Sequence, residues 1–221
     1  MTRETQPFLD AIRAGDLDQV LAALREDPSL AAATADGVSA VLLALYHGHE
    51  RLARVLAQQG GPPDFFEAAA LGDVDQVSAL LAADAGLADR VTADGYGALG
   101  LAAYFGHERV VALLARWCDP NVPSRNAMQV TPLHSAVASR RPEAAAGLAR
   151  TLLAQGADPN RRQQGGWTPL HAAAQAGDPE LVSLLLAHGA DREARTDAGE
   201  TPVALAAARG HIAALALLDS P

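Results

Sequence analysis

One recurring tetrapeptide limits what this chain can fold into more than any other feature. Thr131-Pro132-Leu133-His134 returns as Thr168-Pro169-Leu170-His171, and in degenerate form as Thr201-Pro202-Val203-Ala204, at spacings of 37 and 33 residues. Each copy leads into an alanine-rich stretch. A Gly177-Asp178 or Gly210-His211 pair follows in the later copies, and leucine-rich segments end in Gly156-Ala157-Asp158-Pro159-Asn160 or Gly189-Ala190-Asp191. A period of this length implies a small supersecondary unit that buries its apolar face only by stacking on copies of itself.

Each piece of the unit has a physical reading. Threonine can cap a helix through its hydroxyl, and proline at the first helical position loses no hydrogen bond. The alanine run is a helix thin enough for a neighbour to approach closely. The glycine after it stops the helix, in the left-handed conformation that suits such an end. Leu181-Val182 and Leu184-Leu185-Leu186 then belong to a second helix with its apolar face inward. Gly-Ala-Asp closes that helix and opens a hairpin-like finger into the next unit.

Together these motifs resemble the ankyrin repeat. The resemblance implies an all-α solenoid of about seven helix–turn–helix repeats with short hairpin-like fingers. Earlier repeats keep the register in degenerate form, opening at Asp36-Gly37-Val38-Ser39-Ala40 and at Asp94-Gly95-Tyr96-Gly97-Ala98-Leu99. The mid-repeat glycines are Gly15, Gly48, Gly72, Gly106, Gly177 and Gly210, with Arg140 in that slot in the fifth repeat. A longer period overlies the short one. Gly15-Asp16-Leu17-Asp18-Gln19-Val20 reads against Gly72-Asp73-Val74-Asp75-Gln76-Val77, and Tyr46-His47-Gly48-His49-Glu50-Arg51 against Tyr104-Phe105-Gly106-His107-Glu108-Arg109. A two-repeat unit is duplicated.

The pattern breaks in four places. Gly48 to Gly72 is about nine residues short, and Gly60-Gly61-Pro62-Pro63 occupies the gap, so a finger is expected to be missing at 60–64. The single domain, 1–221, then divides into sub-blocks 6–62 (repeats 1–2) and 63–221 (repeats 3–7), with a bend or pivot between them. The fifth repeat has about four extra residues between Glu143 and Gly156, one added turn in its second helix. The finger from Asn121 to Thr131 is two residues longer than that from Asn160 to Thr168. Ser39, Pro63 and Gly97 stand where threonine caps elsewhere, which predicts weaker helix starts.

Composition narrows the function. Net charge is −9, and all of it falls in residues 1–100, since 101–221 balance 11 acidic against 11 arginine residues. An acidic amino-terminal half argues against nucleic acid or an anionic membrane as partner and suits a basic protein surface. All 17 basic residues are arginine, which reads as a GC-rich, bacterial-type coding bias rather than selected chemistry. A lone cysteine, Cys118, excludes an internal disulfide framework. Met1–Pro7 carries no leader pattern and no apolar run has membrane-spanning length, so a soluble cytoplasmic protein is expected.

No enzymatic constellation emerges: no nucleophile elbow, phosphate-binding glycine loop or zinc-binding His-Glu-x-x-His. The seven histidines fall mostly in repeat-defined slots of separate layers, His47 being the one outside such a slot, and do not converge on a metal. The resemblance implies that His134 and His171 brace neighbouring loops. No catalytic residue, cofactor or metal is therefore assigned, and the chain reads as a non-catalytic protein–protein interaction module.

The resemblance also places contacts at the fingertips and at the last residues of each first helix. Those slots hold Tyr46, His47, Tyr104, Phe105, Gln175 and Arg209 on helices, and Tyr96, Met128, Trp167 and Glu200 on fingers. Five of the nine aromatic residues fall there, and large rings with a polar handle favour interfaces. Arg125, Arg161, Arg162 and Arg195 could rim the site. Alternatives are a regulatory or chaperone-like enzyme subunit, or a self-assembling structural protein joined weakly through the apolar last helix, Ile212 to Leu218. The partner is another protein, with no nucleic acid and no membrane.

Overall fold

The computed structural model describes residues 5–219; the reading of Met1–Glu4 as free of a leader lies outside the described residues. Fourteen α-helices follow one another in seven antiparallel pairs among those residues. The inner, first helices are α1 (Thr5–Ala14), α3 (Ala40–Tyr46), α5 (Phe65–Leu71), α7 (Ala98–Tyr104), α9 (Pro132–Val137), α11 (Pro169–Ala176) and α13 (Pro202–Ala208). Their outer partners are α2 (Leu17–Glu26), α4 (Glu50–Gln59), α6 (Val74–Ala83), α8 (Glu108–Leu114), α10 (Pro142–Ala154), α12 (Pro179–Ala187) and α14 (Ile212–Leu218). The chain is an all-α repeat solenoid.

Small side chains let the layers stack. Ala68, Ala69, Ala102, Ala103, Ala136, Ala173 and Ala174 on the inner helices are fully buried or nearly so. The outer helices supply the larger apolar groups, with Leu114, Leu148, Leu152, Leu181 and Leu185 enclosed between layers. The 13 residues of α10 against 9 in α12 place the extra turn of the fifth repeat in its second helix.

The fingers are narrow hairpins. In the second repeat, β1 (Thr34–Ala35) pairs antiparallel with β2 (Val38–Ser39). From the fourth repeat on, consecutive fingers bond through their backbones: Arg125 N–H to Gly95 O, Gln164 N–H to Met128 O and Asp197 N–H to Gly165 O, each at 2.8–2.9 Å. Residues 60–64 alone join α4 to α5, without a finger. A Cβ on Gly37 would collide with Cβ of Ala93, so the second repeat's finger abuts the fourth repeat's directly.

Histidine and asparagine tie layer to layer. His134 Nε2 donates to Trp167 O, and His171 Nε2 to Ala194 O and Glu200 O, while each Nδ1 accepts a threonine hydroxyl at 2.8 Å. Thr131 and Thr168 therefore spend their hydroxyls on imidazole. Thr201, with Ala204 in the histidine slot, caps the backbone N–H of Ala204 instead. Burial pushes the His134 pKa down to about 4, keeping the ring neutral and able to accept. Asn121 bridges Gly156 O and Asp158 N–H, and Asn160 bridges Gly189 O and Asp191 N–H in the same way one repeat later.

The capping expectation needs correction at two of three positions. Ser39 does cap, accepting from Leu42 N–H at 3.2 Å. The cap of α5 is Asp64, not Pro63. Its carboxylate accepts from Phe66 and Glu67 N–H, and Glu67 reaches back to the Asp64 N–H in a complete capping box. Gly97 supplies no side-chain cap. The duplicated unit is visible in matching bonds: Asp16 caps Gln19 as Asp73 caps Gln76, and His49 bonds Arg13 O as His107 bonds Ala70 O.

Candidate functional site

The inner helices and fingers of the central repeats enclose a groove of about 510 Å³. Its wall begins at Tyr46 at the end of α3. It continues through Asp94 and Tyr96 on the next finger, Leu101 and Tyr104 on α7, Met128 and Val130 on the longer finger, and His134 and Ser135 on α9. Gln163 and Ala172 close the far side. Four residues singled out from the sequence, Tyr46, Tyr96, Tyr104 and Met128, thus meet in one place from three different repeats.

Local structure explains their convergence. The absent third finger lets the second repeat close on the fourth. Tyr46 stacks on Phe105 at 6.1 Å between ring centroids, with 18° between planes. Across this closure Arg140 donates to Tyr46 O at 3.1 Å and reaches Leu45 O, linking residues 94 and 95 positions apart. Arg141 pairs with Glu50 at 3.2 Å. Arginine in the glycine slot of the fifth repeat is therefore a strut back to the second. Met128 stands out from its finger, 44% exposed, because the turn is held by Ser124 and Asn126 and by Gln129 at φ 51°.

Among the described residues the Tyr46 hydroxyl is the one enclosed side-chain polar atom with no hydrogen-bond partner. Such a group costs about 1–3 kcal/mol if left unmade. Burial raises the phenol's pKa well above its ordinary value, and the nearby Asp94 carboxylate raises it further, although the two do not meet in hydrogen-bonding geometry. Asp94 instead accepts from the Thr92 hydroxyl.

The other candidates lie elsewhere. Phe105 is corrected outright: at 6% exposure it belongs to the core, wedged between Tyr46 and Tyr104, because the closure over repeat three covers its position. His47 is exposed beside the groove and stacks on His49. Trp167 is half-buried, its ring 5.8 Å from His171. Half-buried Gln175 and exposed Glu200 and Arg209 sit toward the carboxy-terminal repeats, outside the groove. Of the fingertip arginines, Arg162 pairs with Asp197 at 2.8 Å and Arg195 bonds Gly199 O on its own finger. Exposed Arg125 reaches Asp89 O, and Arg161 is exposed.

Sequence reasoning missed Asp94, Leu101, Val130, Ser135 and Gln163 as groove residues. Asp94 alone carried a signal, as the acidic partner of Gly95-Tyr96 at a fingertip. The apolar ones look like any framework residue until the layers are stacked.

Reactive chemistry is sparse. Burial pushes the Cys118 thiol up to about 11, and its Sγ lies 3.5 Å from Ala88 O, so the sulfur stays protonated and non-nucleophilic. Among the described residues no three His, Cys, Asp or Glu side chains group to hold a metal ion. No helix among them is long and apolar enough to cross a membrane.

Stacked helix pairs, finger-to-finger backbone bonds and a groove on the inner-helix side define a repeat-solenoid scaffold. The family model for ankyrin repeats (3 copies) matches residues 65–163 and 143–220, and the chain belongs to that family. The helix pairs before residue 65 have the same form outside the matched ranges. Ankyrin repeats are generally protein–protein interaction modules rather than enzymes. No curated protein matches the chain.

Proposed function

We propose that this chain is a non-catalytic adaptor that holds one protein partner in the groove walled by Tyr46, Tyr96, Tyr104 and Met128. The observation that carries this reading is the convergence of four side chains from three repeats on one cavity. The three rings pack against the core on one side and stay half-buried, and the part left open gives a partner contact area from pre-positioned tyrosines. His47 and the exposed fingertip residues rim the contact; Trp167, Gln175, Glu200 and Arg209 extend it toward the carboxy terminus.

The test is site-specific photo-crosslinking in the native cell. A photoreactive residue at Met128 is expected to trap a discrete protein, and one at exposed Arg116 on the far side of the repeat is not. Equal trapping at both positions would remove the groove from the reading.

A second contact is favoured by Ile212, 78% exposed on α14. There the carboxy-terminal repeat meets a second copy weakly. Solution mass measured over a concentration series checks it, and a strict monomer at high concentration removes it.

A further inference from the structure

We propose that the groove recognises a lysine or arginine side chain presented by an extended segment of the partner, with the cation held between Asp94 and the faces of Tyr46, Tyr96 and Tyr104. This deepens, and rests on, the reading of the groove as the partner site. Three phenol rings and one carboxylate line the cavity, and no arginine does. The ring faces carry the negative end of a quadrupole that attracts cations, more strongly where water is excluded.

The surroundings agree. Arg140, beside Tyr46, spends its guanidinium on the carbonyls of Leu45 and Tyr46 and lines the adjoining cavity of about 150 Å³ with Arg141 and Glu50. Burial keeps the His134 ring neutral, so it does not repel a cation. The net charge of −9 draws a basic segment toward the surface. An anionic occupant would face Asp94 with nothing to neutralise it.

The shape favours a chain over a small ion. The wall runs across α7, α9 and α11, two interhelical steps of roughly 10 Å each. That length suits about six extended residues. Leu101, Met128 and Val130 then lie along the methylene stem and its flanking residues.

The test titrates the full-length, isotope-labelled protein with the peptide acetyl-Gly-Ala-Ala-Lys-Ala-Ala-Gly-amide, and reads tyrosine ring resonances by NMR. The lysine peptide is expected to shift Tyr46, Tyr96 and Tyr104 together and to bind about tenfold more tightly than a norleucine analogue. Asp94→Asn is expected to abolish that preference. Tyr104→Leu, which removes a ring without touching the finger's hydrogen bonds, should reduce it too, so misfolding of either variant alone cannot mislead. Equal binding of the norleucine peptide overturns the cation assignment. Tetramethylammonium binding as well as the peptide overturns the extended-segment assignment. No binding at millimolar peptide overturns the proposal, while crosslinking through Met128 would still support the groove as the partner site.

Discussion

The carboxy-terminal repeats and the junction around repeat three face the same task, tying one layer to the next; they share one device, a histidine at the start of the second helix (His107 to Ala70 O, His211 to Gln175 O), and otherwise use different side chains. From the fifth repeat on, His134 and His171 bond forward into the next finger, and Asn121 and Asn160 span adjacent helix-ending turns. Every one of these bonds joins nearest neighbours. At the junction there is no finger after α4 and residues 1–120 contain no asparagine. Long side chains cross the gap instead: Arg140 reaches Tyr46 and Arg141 reaches Glu50. The regular half is a ladder of neutral bonds between neighbours, buried or part-buried at the histidines and exposed at the asparagines. The junction is a set of long, partly exposed, charged ones, and beside it the groove opens. The short 60–64 connection thus supplies no framework bonds, and the second repeat lies against the fourth where the groove opens.

The regular half is expected to depend most on its buried imidazoles. His134→Ala leaves the Thr131 hydroxyl and Trp167 O without partners and opens a cavity, so a loss of about 2–4 kcal/mol is expected from urea denaturation. The same ring predicts pH dependence. Its folded pKa lies below the ordinary value of 6.5, so the unfolded chain takes the proton first. Stability is full above about 6.5 and falls as pH drops from 6.5 toward 4, by about 3 kcal/mol. Denaturation series across that window should show the fall in the parent and a flatter profile in His134→Ala. Identical profiles would break the ladder account.

A smaller effect is expected where backbone and brace coincide. Gly177 ends α11 at φ 72°, and a Cβ there would collide with the His211 ring that bonds Gln175 O. Gly177→Ala should cost about 2 kcal/mol, whereas Gly156→Ala, at φ 87° with open space around it, should cost only about 1 kcal/mol of backbone strain. Comparison of the two melting temperatures separates steric from conformational terms.

Arg140→Ala tests the junction. It should cost about 1 kcal/mol overall, with faster hydrogen exchange concentrated at the second repeat around Gly48, where its guanidinium packs. Exchange spread evenly over the solenoid would show that the strut does not act on that repeat. The smallest effect is expected at Arg162→Ala. Its pair with Asp197 has side chains 55% and 68% exposed, and such pairs contribute below about 1 kcal/mol.

Much of the framework was legible in the residues. Repeated Thr-Pro-Leu-His, the mid-repeat glycines and Gly-Ala-Asp fix local geometry through capping, fixed φ and left-handed turns, all effects within a few residues. The extra turn of α10 followed from counting. The Asp64 cap was missed by one residue, because Pro62-Pro63 drew the helix start back while the carboxylate that satisfies the N–H groups sits just after.

The groove was legible only in part. Slot positions pointed to Tyr46, Tyr96, Tyr104 and Met128, but not to their meeting, and they counted Phe105 as surface. Whether a ring at a helix end is wall or core depends on what the next layers place above it.

The repeat unit, the number of repeats and the helix each residue occupies follow from periodicity and from backbone chemistry within one unit, and so are carried by the residues alone. That the second repeat closes on the fourth and fifth emerges only once the layers are stacked. Only then do Tyr46 and Asp94 share a cavity, Phe105 become buried and Arg140 become a strut. Those contacts join residues up to 95 positions apart, and their existence depends on the summed curvature of several layers, which no local pattern encodes.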